Sequence, residues 1–206
     1  MKTLQSLAWA MLIVIIKNMN TISFSAVKKS LLLLFILVGL SCASTFADAL
    51  MLSVKATPYD HQMSPIREVL TTGGSSTDHT SLALVNTWMS DLRNIPYGFQ
   101  MVWKTPSEVE SGRPADCKGK AVALYKRMKS QGATNLRLVI GKRAPSSRQT
   151  HAWLEWQTES GSYVLDPTFN YSVTRAERVG RGCYVPFYAY SGTKKFRAST
   201  NLIAQN

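Results

Sequence analysis

Cysteine is scarce in this 206-residue chain, with only Cys42, Cys117 and Cys183, and there are no more than three histidines. No C-x-x-C or H-E-x-x-H spacing joins them, so the pattern predicts no zinc, and no other metal or cofactor. Acids are also few: 12 Asp and Glu stand against 24 Lys and Arg, a formal charge of +12, and only 17% of residues are charged. No apolar stretch reaches the length of about eighteen residues that a membrane-spanning helix needs. The two strongest, residues 7–16 and 31–40, hold ten residues each. Internal repeats and low-complexity tracts are absent.

The charge is unevenly spread. Lys2, Lys17, Lys28 and Lys29 precede Asp48 and no acid does, so the remainder carries +8. The second apolar stretch follows Lys28-Lys29 and leads to Thr45-Phe46-Ala47, small residues where a signal peptidase reads. Residues 1–47 are therefore expected to be an export segment cut after Ala47, and the protein to be exported, into the periplasm of a bacterium. Met19 would begin a leader of more ordinary length. Lipid attachment at Cys42 is disfavoured by Gly39, which stands where such sites usually want a branched apolar residue. The remaining 159 residues suffice for one domain with a core and are too few for two ordinary ones. In an exported protein, pairing of Cys117 with Cys183 is the plain expectation.

Residues 48–77 show no sustained period and end in a Thr/Gly/Ser cluster, which reads as a mobile arm and loop ahead of a domain at 78–206. From Asp78, a candidate N-cap, Leu82, Val85, Trp88, Met89 and Leu92 recur at helical spacing until Asn94-Ile95-Pro96. Thr105-Pro106-Ser107-Glu108 combines a cap, proline at the first helical position and Glu at the third, predicting a short helix. Asp116 would cap another that runs to Gly132, with Ala121, Leu124, Tyr125 and Met128 on one face. Strands are predicted at 136–140, 150–157 and 163–166, the last two joined by a turn at 159–162. Residues 184–190 contain Pro186 and would form an edge strand if any. Helices first and a sheet after them make the class α+β.

One ordered set of residues has chemical meaning. A thiol attacks as thiolate, a form favoured at a helix N-terminus or beside a cation, and Cys117 would sit in a first helical turn next to Lys118. Nucleophilic catalysis also needs a base and a group that orients it; His151 and Asp166 are the candidates. If the two strands close without a bulge around Glu159-Ser160, facing residue numbers sum to 319. Asp166 then lies diagonal to His151 on the same face, and a one-residue slip would part them. Taken singly, the three residues have plainer readings: a disulfide for Cys117, a structural strand histidine, and a turn begun at Asp166-Pro167.

At Val85-Asn86, Trp103-Lys104-Thr105-Pro106-Ser107-Glu108, Asp116-Cys117, Leu136-Arg137, His151-Ala152 and Val164-Leu165-Asp166 the chain resembles the bacterial transglutaminase-like cysteine proteinases of the papain-related superfamily. The resemblance runs from Leu82 to Thr168, roughly half of the mature chain. It implies a Cys-bearing helix packed on an antiparallel sheet, with Cys117 as nucleophile, His151 as general base and then acid, and Asp166 fixing the imidazole. Family members that bind calcium read Asp-Cys-Glu-Asp, whereas Cys117 is followed here by Lys118-Gly119, a departure that tells against calcium. The sequence does not identify the oxyanion donors: the N–H of Cys117 is expected on geometric grounds, and Gln100, Trp103 and Tyr97 are candidates for a second.

The expected activity is thus an exported cysteine hydrolase, a peptidase acting through an acyl-enzyme on a protein or peptide. A transamidase would use the same three residues. A non-catalytic module holding an acidic or cell-envelope partner on its basic surface is the rival from another class. The bases at 118–129, 142–148, 175–181 and 194–197 have no aromatic interleaving that would suggest nucleic acid. The loop at 144–150 is expected to border the substrate groove.

Overall fold

The computed structural model describes residues 51–74, 80–180 and 182–199. The expected export segment with Cys42 and its cleavage point lie outside them, as does Asp78; the helix expected to be capped by Asp78 is capped by Ser81 instead. The fold is α+β: helices α1 (Arg67–Thr71), α2 (Leu82–Asn94), α3 (Pro106–Glu110) and α4 (Cys117–Ser130) pack on a seven-stranded sheet. The strands are β1 (Met51–Val54), β2 (Leu136–Lys142), β3 (His151–Thr158), β4 (Gly161–Leu165), β5 (Thr174–Arg175), β6 (Val185–Ser191) and β7 (Lys194–Ala198). All pairings are antiparallel, in the order β1-β7-β6-β2-β3-β4-β5. Among the described residues, no helix is long and apolar enough to cross a membrane.

Helix α2 begins where the Ser81 hydroxyl accepts the Leu84 N–H, and it buries Val85, Met89 and Leu92. Each such side chain contributes about 2 kcal/mol by leaving water. Its C-terminal carbonyls would otherwise lack partners; the buried Lys120 ammonium takes Ile95 O at 2.6 Å and Arg93 O at 3.4 Å. Helix α3 carries the expected capping box, with the Thr105 N–H donating to Glu108 at 2.7 Å. Helix α4 is capped by Asp116, which accepts the Gly119 N–H at 3.1 Å. It stops just before Gly132, whose φ of +77° lets the Ala133 N–H return to Met128 O. The single apolar face expected of α4 understates its burial. Every residue from Gly119 to Tyr125 is buried, because the helix lies between the other helices and the sheet.

The β3–β4 hairpin has the unbulged register. Leu154 faces Leu165 and Thr158 faces Gly161, and all pairs between them keep the sum of 319. Two sequence expectations need correction, and one strand had no expectation to match it. Residues 51–74 do not form an arm outside the domain: β1 pairs with β7, and Met63, Ile66 and Leu70 enter the core. Their spacing spans a strand, a 3₁₀ turn and a short helix, so no single period was visible. The basic segment 194–197 belongs to a strand, hairpinned to β6 through Gly192 at φ +60°. Strand β6 is interior, between β7 and β2, despite Pro186. The pairing slips between Ile140 and Gly141, and Pro186 stands opposite Gly141 beside this irregularity. There a missing N–H costs little.

Gly141 is tied to that same crossing. A Cβ there would lie 2.1 Å from Val185 O and 2.7 Å from Trp153 Cη2. Gly141→Ala is therefore expected to destabilise the fold by about 3 kcal/mol, read as a lower urea midpoint with an unchanged m-value.

Candidate active site

Cys117 is the first residue of α4, and its remaining exposure, 9%, opens on a cleft of about 670 Å³. Trp103, Lys118 and His151 share the walls of this cleft, as do Gln149 and Thr150 from the end of the 144–150 loop. Phe99, Met101 and Val102 also border it, each more than half exposed. That much apolar surface facing water in one short segment usually marks a place where something binds.

His151 opens β3, and Asp166 follows the last residue of β4. The hairpin register sets them diagonally, and His151 Nε2 meets Asp166 Oδ2 at 2.8 Å. This contact leaves Nδ1 as the ring nitrogen available to Cys117, which lines the same cleft. Rings of Trp153 and Phe169 lie 6.3 and 5.3 Å from that of His151. Burial works against the imidazolium, but the hydrogen bonds to Asp166 and Cys117 and the charges of both outweigh it, raising the His151 pKa to about 9.

Because this pKa is raised above the ordinary value near 6.5, the pairing stabilises the folded state fully below about pH 6.5 and is lost as pH rises through about 9. The difference in thermal midpoint between wild type and His151→Gln is therefore expected to shrink across that window. A difference that stays constant from pH 6 to pH 10 would contradict the assignment.

Asp166 is fully buried, and its carboxylate accepts three donors: His151 Nε2, the Tyr184 hydroxyl at 2.8 Å and the Thr168 N–H at 3.0 Å. Its main-chain oxygen also starts the turn before Asn170, so the turn reading of Asp166-Pro167 and the orienting geometry hold together. Tyr184 was not found from sequence. Its backbone has φ +52°, its N–H donates to Arg143 O, and its ring meets Trp153 edge-on. A bulky residue in the left-handed region is unusual. Only the sheet crossing brings it to Asp166, and no local pattern announces that.

Of the oxyanion candidates, Gln100 uses its backbone to hold the segment in place. Its N–H donates to Asp116 Oδ2 at 3.3 Å, and its carbonyl accepts from Lys118 Nζ at 2.8 Å. Tyr97 is bridged to Ala115, next to the start of α4. Trp103 is almost fully buried, and its indole N–H has no hydrogen-bond partner. The expected disulfide is absent: Cys117 and Cys183 are both free, Cys117 lining the cleft with His151 and Cys183 sitting in the turn after Gly180. Among the described residues, no group of three or more His, Cys, Asp and Glu is placed to hold a metal ion.

No family model matches the sequence, and no curated protein matches it. Among solved structures, EGTA-treated LapG of Legionella pneumophila superposes with a TM-score of 0.50 at 19% identity, covering 60% of this chain and 71% of that one. Its calcium-bound form gives 0.49 at 18% identity, with 62% and 82% covered. A protein of Cytophaga hutchinsonii, provisionally described as a cysteine protease, gives 0.38 at 9% identity, with 68% and 58% covered. The likeness to LapG is one of fold: helices packed on an antiparallel sheet.

Proposed function

We propose that this protein is an exported cysteine hydrolase, a peptidase that works through an acyl-enzyme. The observation that carries the reading is the convergence of a helix-start thiol, an imidazole and a buried carboxylate, supplied by three separate elements, at an open cleft. The exposed apolar segment beside the thiol supports a protein or peptide substrate. The basic surface supports an acidic or cell-envelope setting for that substrate.

In this reading the Cys117 thiol gives its proton to the His151 imidazole, Sγ attacks the carbonyl carbon to form a C–S bond, and the carbonyl π pair moves onto oxygen. The negative charge that develops on oxygen is met by the Cys117 N–H, free at the helix start. The imidazolium passes a proton to the amine nitrogen as the C–N bond breaks. Water then enters, the neutral imidazole takes its proton, the hydroxyl adds to the thioester carbon, and the C–S bond breaks to release the acid. Asp166 holds the ring through its contact with Nε2.

LapG was solved in a calcium-bound form. Calcium takes about six to eight oxygen ligands, with carboxylates prominent among them. Here the Asp116 carboxylate already accepts the Gly119 and Gln100 N–H groups and the Lys118 ammonium. The residues present do not fit that ion, and no step above uses one.

The test compares wild type with Cys117→Ala on extracts of exported proteins. A cleaved band seen only with wild type supports hydrolysis, whereas a cross-linked band would turn the reading to transamidation. No Cys117-dependent product, from a protein whose Cys117 reacts readily with iodoacetamide, would favour the binding module.

A further inference from the structure

We infer that Lys118 is a positioning residue, its ammonium serving as an internal cation that fastens residues 97–103 against the start of α4. The inference rests on the acyl-transfer reading, since the purpose of the clamp is to hold the cleft wall at 99–103 in place beside Cys117.

Lys118 Nζ pairs with Asp116 Oδ2, donates to Gln100 O at 2.8 Å and lies 5.1 Å from the centre of the Phe99 ring. The Asp116 side chain is 1% exposed and that of Lys118 18%. Asp116 spends Oδ1 on the helix cap and Oδ2 on Lys118 and the Gln100 N–H. Cys117 sits in the chain between the two charged residues, so the clamp brackets it. An exposed lysine pair contributes little, because solvent screens it and two long side chains must be held still. This pair is different in three respects: one partner is buried, the ammonium has a second acceptor on another segment, and a ring shields it. Without the ammonium, the Asp116 carboxylate and the Gln100 carbonyl would be two oxygen dipoles facing each other near the nucleophile. The segment bearing Trp103 would then keep only the Gln100 N–H bond to Asp116 and the backbone bridge at Tyr97 and Ala115.

The experiment uses Lys118→Ala and Lys118→Arg with two readouts: amide exchange of residues 97–103, and burst acylation of Cys117 by p-nitrophenyl acetate. In Lys118→Ala the segment is expected to exchange about tenfold faster while the core of α4 stays protected, and acylation to fall about tenfold. Lys118→Arg is expected to keep most of both. Methylammonium chloride is expected to restore part of the Lys118→Ala acylation, where sodium chloride at equal ionic strength does not. EGTA is expected to leave wild type unchanged. Wild-type exchange and acylation in Lys118→Ala would overturn the inference, as would a wild type that loses acylation in EGTA and regains it with calcium. If wild type is never acylated, the acyl-transfer reading fails, and exchange alone decides the clamp: faster in Lys118→Ala sustains it, equal rates overturn it.

Discussion

Replacing His151 with glutamine is expected to slow acylation of Cys117 about a thousandfold while the protein remains folded. Glutamine fills similar space, and its amide can still donate to Asp166 Oδ2, so the buried carboxylate keeps a partner in place of the ring nitrogen it now holds at 2.8 Å. What disappears is the titrating group. No side chain at the site then carries the proton from the thiol to the leaving amine and back. The burst with p-nitrophenyl acetate measures this loss, and circular dichroism checks the fold. A variant within about tenfold of wild type would mean that the ring neighbours the thiol without serving it.

Asp166→Ala is expected to be costly in two ways. It removes one acceptor from three donors, His151 Nε2, the Tyr184 hydroxyl and the Thr168 N–H, at a position with no solvent exposure. Leaving such donors unmet lowers stability by about 3 kcal/mol. Catalysis should fall by more than about a hundredfold, because the imidazole loses the contact that fixes its orientation and tautomer. Burial, the opposing influence on His151, would then dominate, so its pKa should drop from about 9 and the alkaline edge of activity should move to lower pH. Asp166→Asn separates the two effects. Its carbonyl oxygen can still accept from Tyr184 or Thr168, so most of the stability should return, but its neutral amide cannot support an imidazolium, so most of the activity should not. If Asp166→Asn recovers both, the carboxylate charge has no part in the chemistry.

The sequence made some of this site legible for identifiable reasons. The hairpin register followed from counting around Glu159-Ser160, because side chains alternate along strands and one slip would have moved Asp166 to the other face. Observed pairs from Leu154↔Leu165 to Thr158↔Gly161 keep that count. The caps at Asp116 and Thr105 were readable because capping chemistry is local. What escaped depends on partners distant in the chain. Pro186 looked like an edge residue, since nothing nearby in sequence reveals the slipped pairing opposite Gly141. The segment 194–197 looked like a basic patch, because charge obscured the strand that Gly192 turns back onto β6. Tyr184 reaches Asp166, and Lys118 reaches Gln100, only after the chain has folded. The free state of Cys117 and Cys183 likewise could not be read from their number and compartment.

The most direct test of the proposed chemistry is the rate at which iodoacetamide modifies Cys117 and Cys183 of the native protein at pH 7, mapped by peptide mass spectrometry. Cys117 is expected to react at least about tenfold faster than Cys183 in wild type, and to fall to the rate of Cys183 in His151→Gln. Equal rates for the two cysteines in wild type, or their recovery as one disulfide-linked peptide, would contradict an activated thiol at the start of α4.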